Sequence, residues 1–179
     1  MFPEEYLPPL PNIHTYSLES IGLGVYNTAG TPLTGVLNGA FPAANLAIFV
    51  PFAITTKINV KNLLSYNGGT ISGNIDLGIY DINGIRLTST GSVAHAGSSA
   101  IQATSITPIT LAPGTYYFAV AMDNGTGQLR RAAFTNVDES QMFGMAQMGT
   151  AFPLPATATI SGMGFNYVPV IGLSTRSTV

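Results

Sequence analysis

The fold is decided first by a hairpin sequence, NIDLGIYDINGIRLTS, at residues 74–89. Ile75, Leu77 and Ile79 share one face, and the residues between them, from Asn74 to Tyr80, share the other. This is the two-residue period of a β-strand with one face in a core. The pair Asn83-Gly84 follows, and Asn-Gly is the strongest short-range signal for a hairpin turn. The stretch therefore predicts two antiparallel strands joined by a tight turn.

A second decisive stretch is TYYFAVAM, at residues 115–122, which follows a Pro-Gly turn. Both of its faces are apolar, which is typical of a central strand covered on both sides. Residues 33–44 are interpreted as a loop. About eight to ten short strands separated by turn signals predict an all-β, jelly-roll-like antiparallel β-sandwich. The other candidate strands cover residues 22–28, 46–50, 54–66, 100–106, 129–134, 156–160 and 167–173.

One helix is predicted, over residues 137–148, with Asn136 as its N-cap and Glu139 three positions on. The expected domain organisation is an extended proline-rich arm at residues 1–20, a β-sandwich domain at 21–173 and a C-terminal tail at 174–179. Proline lacks a backbone donor and fixes φ, so the arm favours polyproline II.

Two apolar segments are candidate contact surfaces. The arm carries more apolar side chains than a solvated tail normally does, although a disordered tail is the alternative interpretation. The predicted helix is rich in methionine, which suits an adaptable contact surface, although it could also plug one end of the sandwich. The candidate interface residues are Phe2, Tyr6, Leu7, Leu10, Ile13, Met142, Phe143, Met145 and Met148.

The charge content is low. Charged residues make up 8% of the chain, against about 25% in a typical soluble domain. Such a surface is expected to meet other protein in an assembly. The six Lys and Arg residues are scattered, so no nucleic-acid partner is predicted. The longest apolar run, residues 46–54, is too short for a membrane helix, which needs about 20 residues.

No catalytic residue, metal site or cofactor is predicted. The chain has no cysteine, and its two histidines, His14 in the arm and His95 in a Gly/Ser-rich loop, lack metal-ligand spacing. His95 is interpreted as an exposed polar loop residue. Asp76 is placed mid-strand on the polar face of the hairpin, while Asp81 and Asp123 suit turns for backbone reasons.

Three alternatives to this interpretation stay open. A pair of carboxylates brought together across the sheets could support hydrolysis. Asp81 and Asp123, each followed closely by asparagine, are weakly similar to oxygen-rich calcium loops. Tyr66, Tyr80 and Tyr117 could form a stacking platform for a glycan, although packing is the more common role of such tyrosines.

The segments IYDING (79–84) and LAPGTYYFAV (111–120) resemble the strand pattern of jelly-roll modules, over about residues 70–123. Such modules occur in secreted bacterial carbohydrate-binding and prepeptidase-type domains, and in virion proteins of tailed phages. The low charge and the acidic, proline-broken start, unlike a secretory signal, favour the virion group.

The chain therefore looks like a capsid decoration or cement protein. The resemblance implies a homo-oligomer, with a trimer favoured, bound to capsid or tail proteins in a virion after synthesis in the host cytoplasm. The alternative is a receptor- or glycan-binding module of a tail fibre or spike.

Overall fold

The computed structural model describes residues 15–16, 36–133 and 136–176. The arm residues Phe2, Tyr6, Leu7, Leu10 and Ile13, the candidate strand at 22–28 and the last three residues lie outside this part of the chain. The described elements, in chain order, are β1 (Thr15–Tyr16), β2 (Val36–Ala40), β3 (Leu46–Ile54), β4 (Ile58–Tyr66), β5 (Asn74–Asp81), β6 (Arg86–Ser89), β7 (Val93–Ala94), β8 (Ile101–Leu111), β9 (Gly114–Met122), β10 (Gln128–Ala133), α1 (Val137–Met142), β11 (Ala146–Met148), β12 (Ser161–Gly162), β13 (Tyr167–Pro169) and β14 (Ile171–Ser174).

The strands form two layers of antiparallel sheet. One layer is a seven-stranded sheet in the order β12-β11-β3-β9-β5-β6, with β7 also paired to β5. The other contains a four-stranded sheet, β1-β14-β4-β8, and a three-stranded sheet, β13-β10-β2. These two sheets meet at Val170, whose N–H donates to Arg130 O at 2.8 Å while its carbonyl accepts from Tyr66 N at 2.9 Å. The predicted all-β sandwich with one short helix is confirmed.

The main core lies between the two layers. Alternating residues of three neighbouring strands stand side by side across the seven-stranded sheet, as in the row Ile48, Val120 and Leu77, all fully buried. Leu63 of β4 and Val168 of β13 belong to the same cluster from the opposite layer. Ile75, Leu77 and Ile79 of β5 face this core as the hairpin sequence predicted, but the other face of the strand is buried as well, so burial does not alternate along it.

A second, smaller core covers the other face of the seven-stranded sheet. We call residues 150–158 the strap, because this segment lies on that outer face. Ala151, Leu154 and Ala158 of the strap pack with Phe49 of β3 and Tyr80 of β5. β9 lies between β3 and β5 and is covered on both faces, as its two apolar faces predicted.

The predicted helix over 137–148 is too long. Asn136 does cap the helix, since its Oδ1 accepts from Glu139 N at 3.1 Å. The helix ends at Met142 because Gly144 has a φ of 71°, a left-handed conformation common just past a helix end. The following residues form β11 instead, since the edge of β3 offers backbone hydrogen bonds to them, with Ala146 opposite Phe49.

Two other local predictions are wrong for similar reasons. Residues 33–44 were interpreted as a loop, but β2 forms there because β10 pairs with it from Gln128–Ala40 to Ala132–Val36. The candidate strand at 156–160 is not a strand. That segment makes one isolated bridge, between Thr157 and Ile85, as the strap reaches the edge of the sheet.

Candidate functional site

Asp76 has a structural role in the seven-stranded sheet. It lies fully buried in β5 beneath the strap, so the strand face that the sequence marked as polar is in fact covered. Its Oδ2 accepts from Leu154 N at 3.0 Å and its Oδ1 accepts from the Thr90 hydroxyl at 3.2 Å. Desolvation by burial raises the pKa of this carboxyl, against the lowering effect of those hydrogen bonds.

Two further polar side chains hold the strap. The Tyr80 hydroxyl donates to Pro155 O at 2.6 Å, and the Arg86 guanidinium donates to Leu154 O. The backbone N–H of Arg86 also donates to Ala156 O at 2.9 Å. Asp76, Tyr80 and Arg86 therefore bind backbone groups of the strap, and the Leu154 N–H would be buried without a partner if Asp76 were absent.

Of the other candidate acids, Asp81 closes a turn and Asp123 links the turn after β9 to the start of β5. Asp81 Oδ1 accepts from Asn83 N at 2.9 Å and from Ile85 N at 2.8 Å, which braces the hairpin turn. Asp123 Oδ1 accepts from Asn74 N at 2.9 Å, and its Oδ2 accepts from the Asn74 side chain at 2.9 Å. The oxygens that a cation would need are thus engaged by donors of the chain itself.

His95 is buried, with 3% of its surface exposed, so its interpretation as an exposed loop residue is wrong. Its Nδ1 accepts from Ser72 N at 3.4 Å, while Nε2 has no hydrogen-bond partner among the described residues. Burial lowers the pKa of the imidazole. The reason for its burial is tertiary, because the loops around Ser72 and Gly127 close over it. His14 lies outside the described part of the chain.

The candidate stacking tyrosines are used for packing. Tyr80 is fully buried and meets Phe49 edge-on, with ring centroids 5.3 Å apart. Tyr117 is half-buried and meets the same phenylalanine at 6.3 Å. The ring of Tyr66 lies under the Arg130 guanidinium at 5.5 Å. Tyr80 and Tyr117 are cross-strand neighbours that share Phe49, whereas Tyr66 lies in β4 of the opposite layer, so the three rings do not form one platform.

The described residues contain neither a metal-ligand cluster nor a membrane-spanning helix. No group of three or more His, Asp or Glu side chains within residues 15–16, 36–133 and 136–176 could hold a metal ion. Over the same part of the chain, no helix is long and apolar enough to cross a membrane.

An uncharged edge of the sandwich stands out instead. From Leu87 to Met122 the chain contains no Lys, Arg, Asp or Glu, and this stretch includes all of β8. The exposed side chains there are mainly Ala, Ser, Thr and Gly, with Ile101 as the largest apolar group, 61% exposed. Within the described chain β8 is the last strand of its sheet and pairs only with β4. We call β8 and its exposed residues the β8 edge.

The hydrogen-bond pattern shows which backbone groups of β8 face outward. Tyr66 N donates to Val170 O, whereas Asn67 N donates to Ala100 O at 2.9 Å, so successive β4 residues point to opposite neighbours. In an antiparallel ladder the bonded pairs alternate with unbonded ones. Gln102, opposite Ser65, thus points its N–H and C=O towards β4. The N–H and C=O groups of Ile101, Ala103 and Ser105 point away from the sheet.

The second half of β8 is less regular. The register with β4 shifts between Val60 and Asn62, and Pro108 lies in the strand beyond that shift. A bulge and a proline both weaken pairing at a sheet edge. The open, regular part of the edge is therefore the stretch from Ile101 to Ser105.

The methionine-rich segment is divided between surface and interior. Met142 is 86% exposed, and Phe143 is also exposed. Met145 is buried in the main core, and Met148 is half-buried against the second core. Of these four candidate interface residues, only Met142 therefore offers most of its side chain to a partner, while Phe143 is 39% exposed. A separate exposed apolar group lies on the hairpin at Ile82, Ile85 and Leu87.

Comparisons with known proteins give no relative from which to transfer a function. No family model matches the chain, and no curated protein matches it.

The sequence does not predict the β8 edge, although the uncharged run is visible in it. Its strand was predicted to end at 106, and nothing local in the sequence shows that a strand is the last in its sheet.

Proposed function

We propose that this protein is a structural subunit of a phage virion, of the capsid decoration type, that stabilises the particle through contacts with its neighbours. The observation that carries this proposal is the uncharged exposed surface of the stretch from Leu87 to Met122. It is supported by the fold, which is the all-β sandwich that the resemblance implied.

The physical argument concerns desolvation. Covering an ionised side chain without a partner is strongly unfavourable, and even a paired ion loses hydration. A surface of Ala, Ser, Thr and Gly can be covered without that penalty, and each Å² of apolar area removed from water contributes about 25 cal/mol. The β8 edge and the exposed Met142 and Phe143 are surfaces of this kind. The proposed partners are further copies of the chain and capsid or tail proteins.

The described carboxylates support a structural rather than catalytic use of the polar groups. Asp76 holds the strap, Asp81 closes the hairpin turn, and Asp123 links the turn after β9 to Asn74 at the start of β5. The glycan-binding alternative gains no support from the three tyrosines, since Tyr80 is fully buried, Tyr117 packs on the same Phe49, and Tyr66 lies in the opposite layer.

The test is association with particles. An antibody against the recombinant chain would be used to follow it in a lysate of phage-producing cells, separated on a density gradient. We expect the chain in the particle band, at a copy number comparable to a capsid or tail protein. Recovery of the chain only in the soluble fraction, with particles of full stability lacking it, would refute the proposal.

A second arm of this experiment tests the N-terminal contact residues. A variant lacking residues 1–13 retains β1 and the sandwich, so it is expected to fold with an unchanged far-UV circular dichroism spectrum. If the arm docks on a neighbour, this variant stays in the soluble fraction. Normal incorporation of the folded truncation would show that the arm is dispensable.

A further inference from the structure

We infer that the β8 edge pairs with the same edge of a second copy of this chain, antiparallel and about a twofold axis near Ala103. The choice of a second copy as partner rests on the proposed structural function, but the observations on strand geometry that support it are independent of that function. It joins the four-stranded sheets of two copies into one continuous sheet.

The open backbone groups have the geometry that self-pairing needs. Ile101, Ala103 and Ser105 direct N–H and C=O outward, as derived from the β4–β8 ladder. Antiparallel pairing about Ala103 places Ala103 opposite its own copy and Ile101 opposite Ser105 of the other chain. Each of these is a pair in which both residues point towards the partner, so each can exchange two hydrogen bonds.

The side chains permit the same arrangement. In a twofold pair a residue near the axis faces its own copy, so any charge there would meet a like charge, which is destabilising. β8 carries no charged residue, and Ala103 and Ser105 are small and exposed. Ile101 would lose exposed apolar surface against the partner strand. β6 of the opposite sheet runs near β8, and it too has an exposed apolar residue, Leu87.

A second copy is favoured over the chain's own arm as the occupant. The arm segment Leu7–Pro11 contains three prolines. Each proline lacks the N–H that a ladder requires, so this segment is a poor pairing strand. Residues 101–105 contain no proline, and the strand is regular there. A twofold pair also differs from the trimer that the resemblance implied, so a mass measurement separates the two.

The experiment measures the mass of the full chain in solution by sedimentation equilibrium over a range of concentrations. We expect twice the chain mass for the native protein. Ala103→Lys places an ammonium group against its own copy, and we expect it to weaken the pair by at least about 100-fold. The matched control is Ala53→Lys, at an exposed position of β3 in the other sheet, which should leave the mass unchanged.

Hydrogen exchange supplies a readout at the edge itself. The amides of Ile101, Ala103 and Ser105 should be protected at high protein concentration and exchange rapidly on dilution, while Gln102 stays protected by β4 in both cases. Ala103→Lys should abolish the concentration dependence with an unchanged circular dichroism spectrum. This readout keeps the test valid even if the variant is slightly less stable.

Each outcome decides between the occupants. A monomer or a trimer at all concentrations, or an unchanged mass in Ala103→Lys, would overturn the inference. Loss of the pair on deleting residues 1–13 would assign the edge to the arm instead. The proposed function fails separately: a native chain found in particles but monomeric in solution refutes only the pairing, and a dimer absent from particles refutes only the virion function.

Discussion

Replacing Asp76 with alanine should weaken the attachment of the strap to the seven-stranded sheet. In the native protein this buried carboxylate accepts from Leu154 N at 3.0 Å and from the Thr90 hydroxyl at 3.2 Å. The Thr90 hydroxyl has a second acceptor, Gly91 O at 2.9 Å, so it need not stay unbonded. The loss therefore falls on Leu154 N–H, which alanine leaves buried without an acceptor.

The expected magnitude follows from that single orphaned donor. Leaving one buried amide unsatisfied lowers the free energy of unfolding by about 1–3 kcal/mol. For a domain of this size each kcal/mol corresponds to about 2–4 °C in Tm, so we expect a decrease of about 2–12 °C. Urea unfolding at pH 7 and thermal unfolding would measure both values.

The conservative variant Asp76→Asn separates the hydrogen bond from the charge. Its amide oxygen can still accept from Leu154 N, so its loss at pH 7 should be smaller than that of the alanine variant. Burial raises the pKa of Asp76 above 3.8, so the native protein loses stability as pH rises from 3.8 through the folded-state pKa. Asp76→Asn should lack that decrease.

The matched control is Asp138→Ala, which removes an exposed carboxylate at the start of α1. We expect a loss of no more than about 1 kcal/mol there, from the weaker interaction with the helix dipole. If Asp76→Ala is as stable as this control, the carboxylate does not hold the strap and the reasoning is refuted.

Three further substitutions test other parts of the fold. Burial lowers the pKa of His95, so the unfolded chain binds the proton first as pH falls below about 6.5, and stability is lost from there through the folded-state pKa. Between pH 7 and pH 5 the free energy of unfolding in urea should therefore decrease less for His95→Asn than for the native protein. An equal decrease in the two proteins would contradict the burial of the imidazole. Gly144→Ala should lower the free energy of unfolding by about 1–2 kcal/mol, because Gly144 has a φ of 71° and an added Cβ would lie 3.3 Å from Pro51 Cγ; an unchanged Tm would show that the strand after α1 does not need that conformation. Asp81→Ala should cost about 0.5–1.5 kcal/mol, because two exposed turn amides exchange their carboxylate acceptor for water, with Asp138→Ala again as the reference in thermal unfolding.

The elements with strong local signals were predictable. The hairpin of β5 and β6 follows from alternation and an Asn-Gly turn, and β9 was placed centrally because both of its faces are apolar. The helix start at Asn136 was also correct, since an N-cap acts within one turn. These features depend on residues that are close in the chain, so the sequence contains the information directly.

The errors share one cause. β2 and β11 formed because neighbouring strands supplied hydrogen bonds, and the candidate strand at 156–160 became part of the strap instead. Asp76 and His95 were judged by local context, one as a polar strand residue and the other as an exposed loop residue. Both are buried by segments that are distant in sequence, and local patterns carry no information about such contacts.

The sequence by itself determined an all-β protein with little charge, because period-2 alternation, turn pairs and composition are local properties. Tertiary structure alone decided which strand is last in its sheet, which acids hold the strap and which methionines reach the surface. The physical reason is that burial and strand pairing depend on which distant segments meet. The run from Leu87 to Met122 illustrates the difference between sequence and tertiary structure. Its lack of charge can be read from the chain, but only the pairing of β8 with β4 shows that Ile101, Ala103 and Ser105 lie at an open sheet edge.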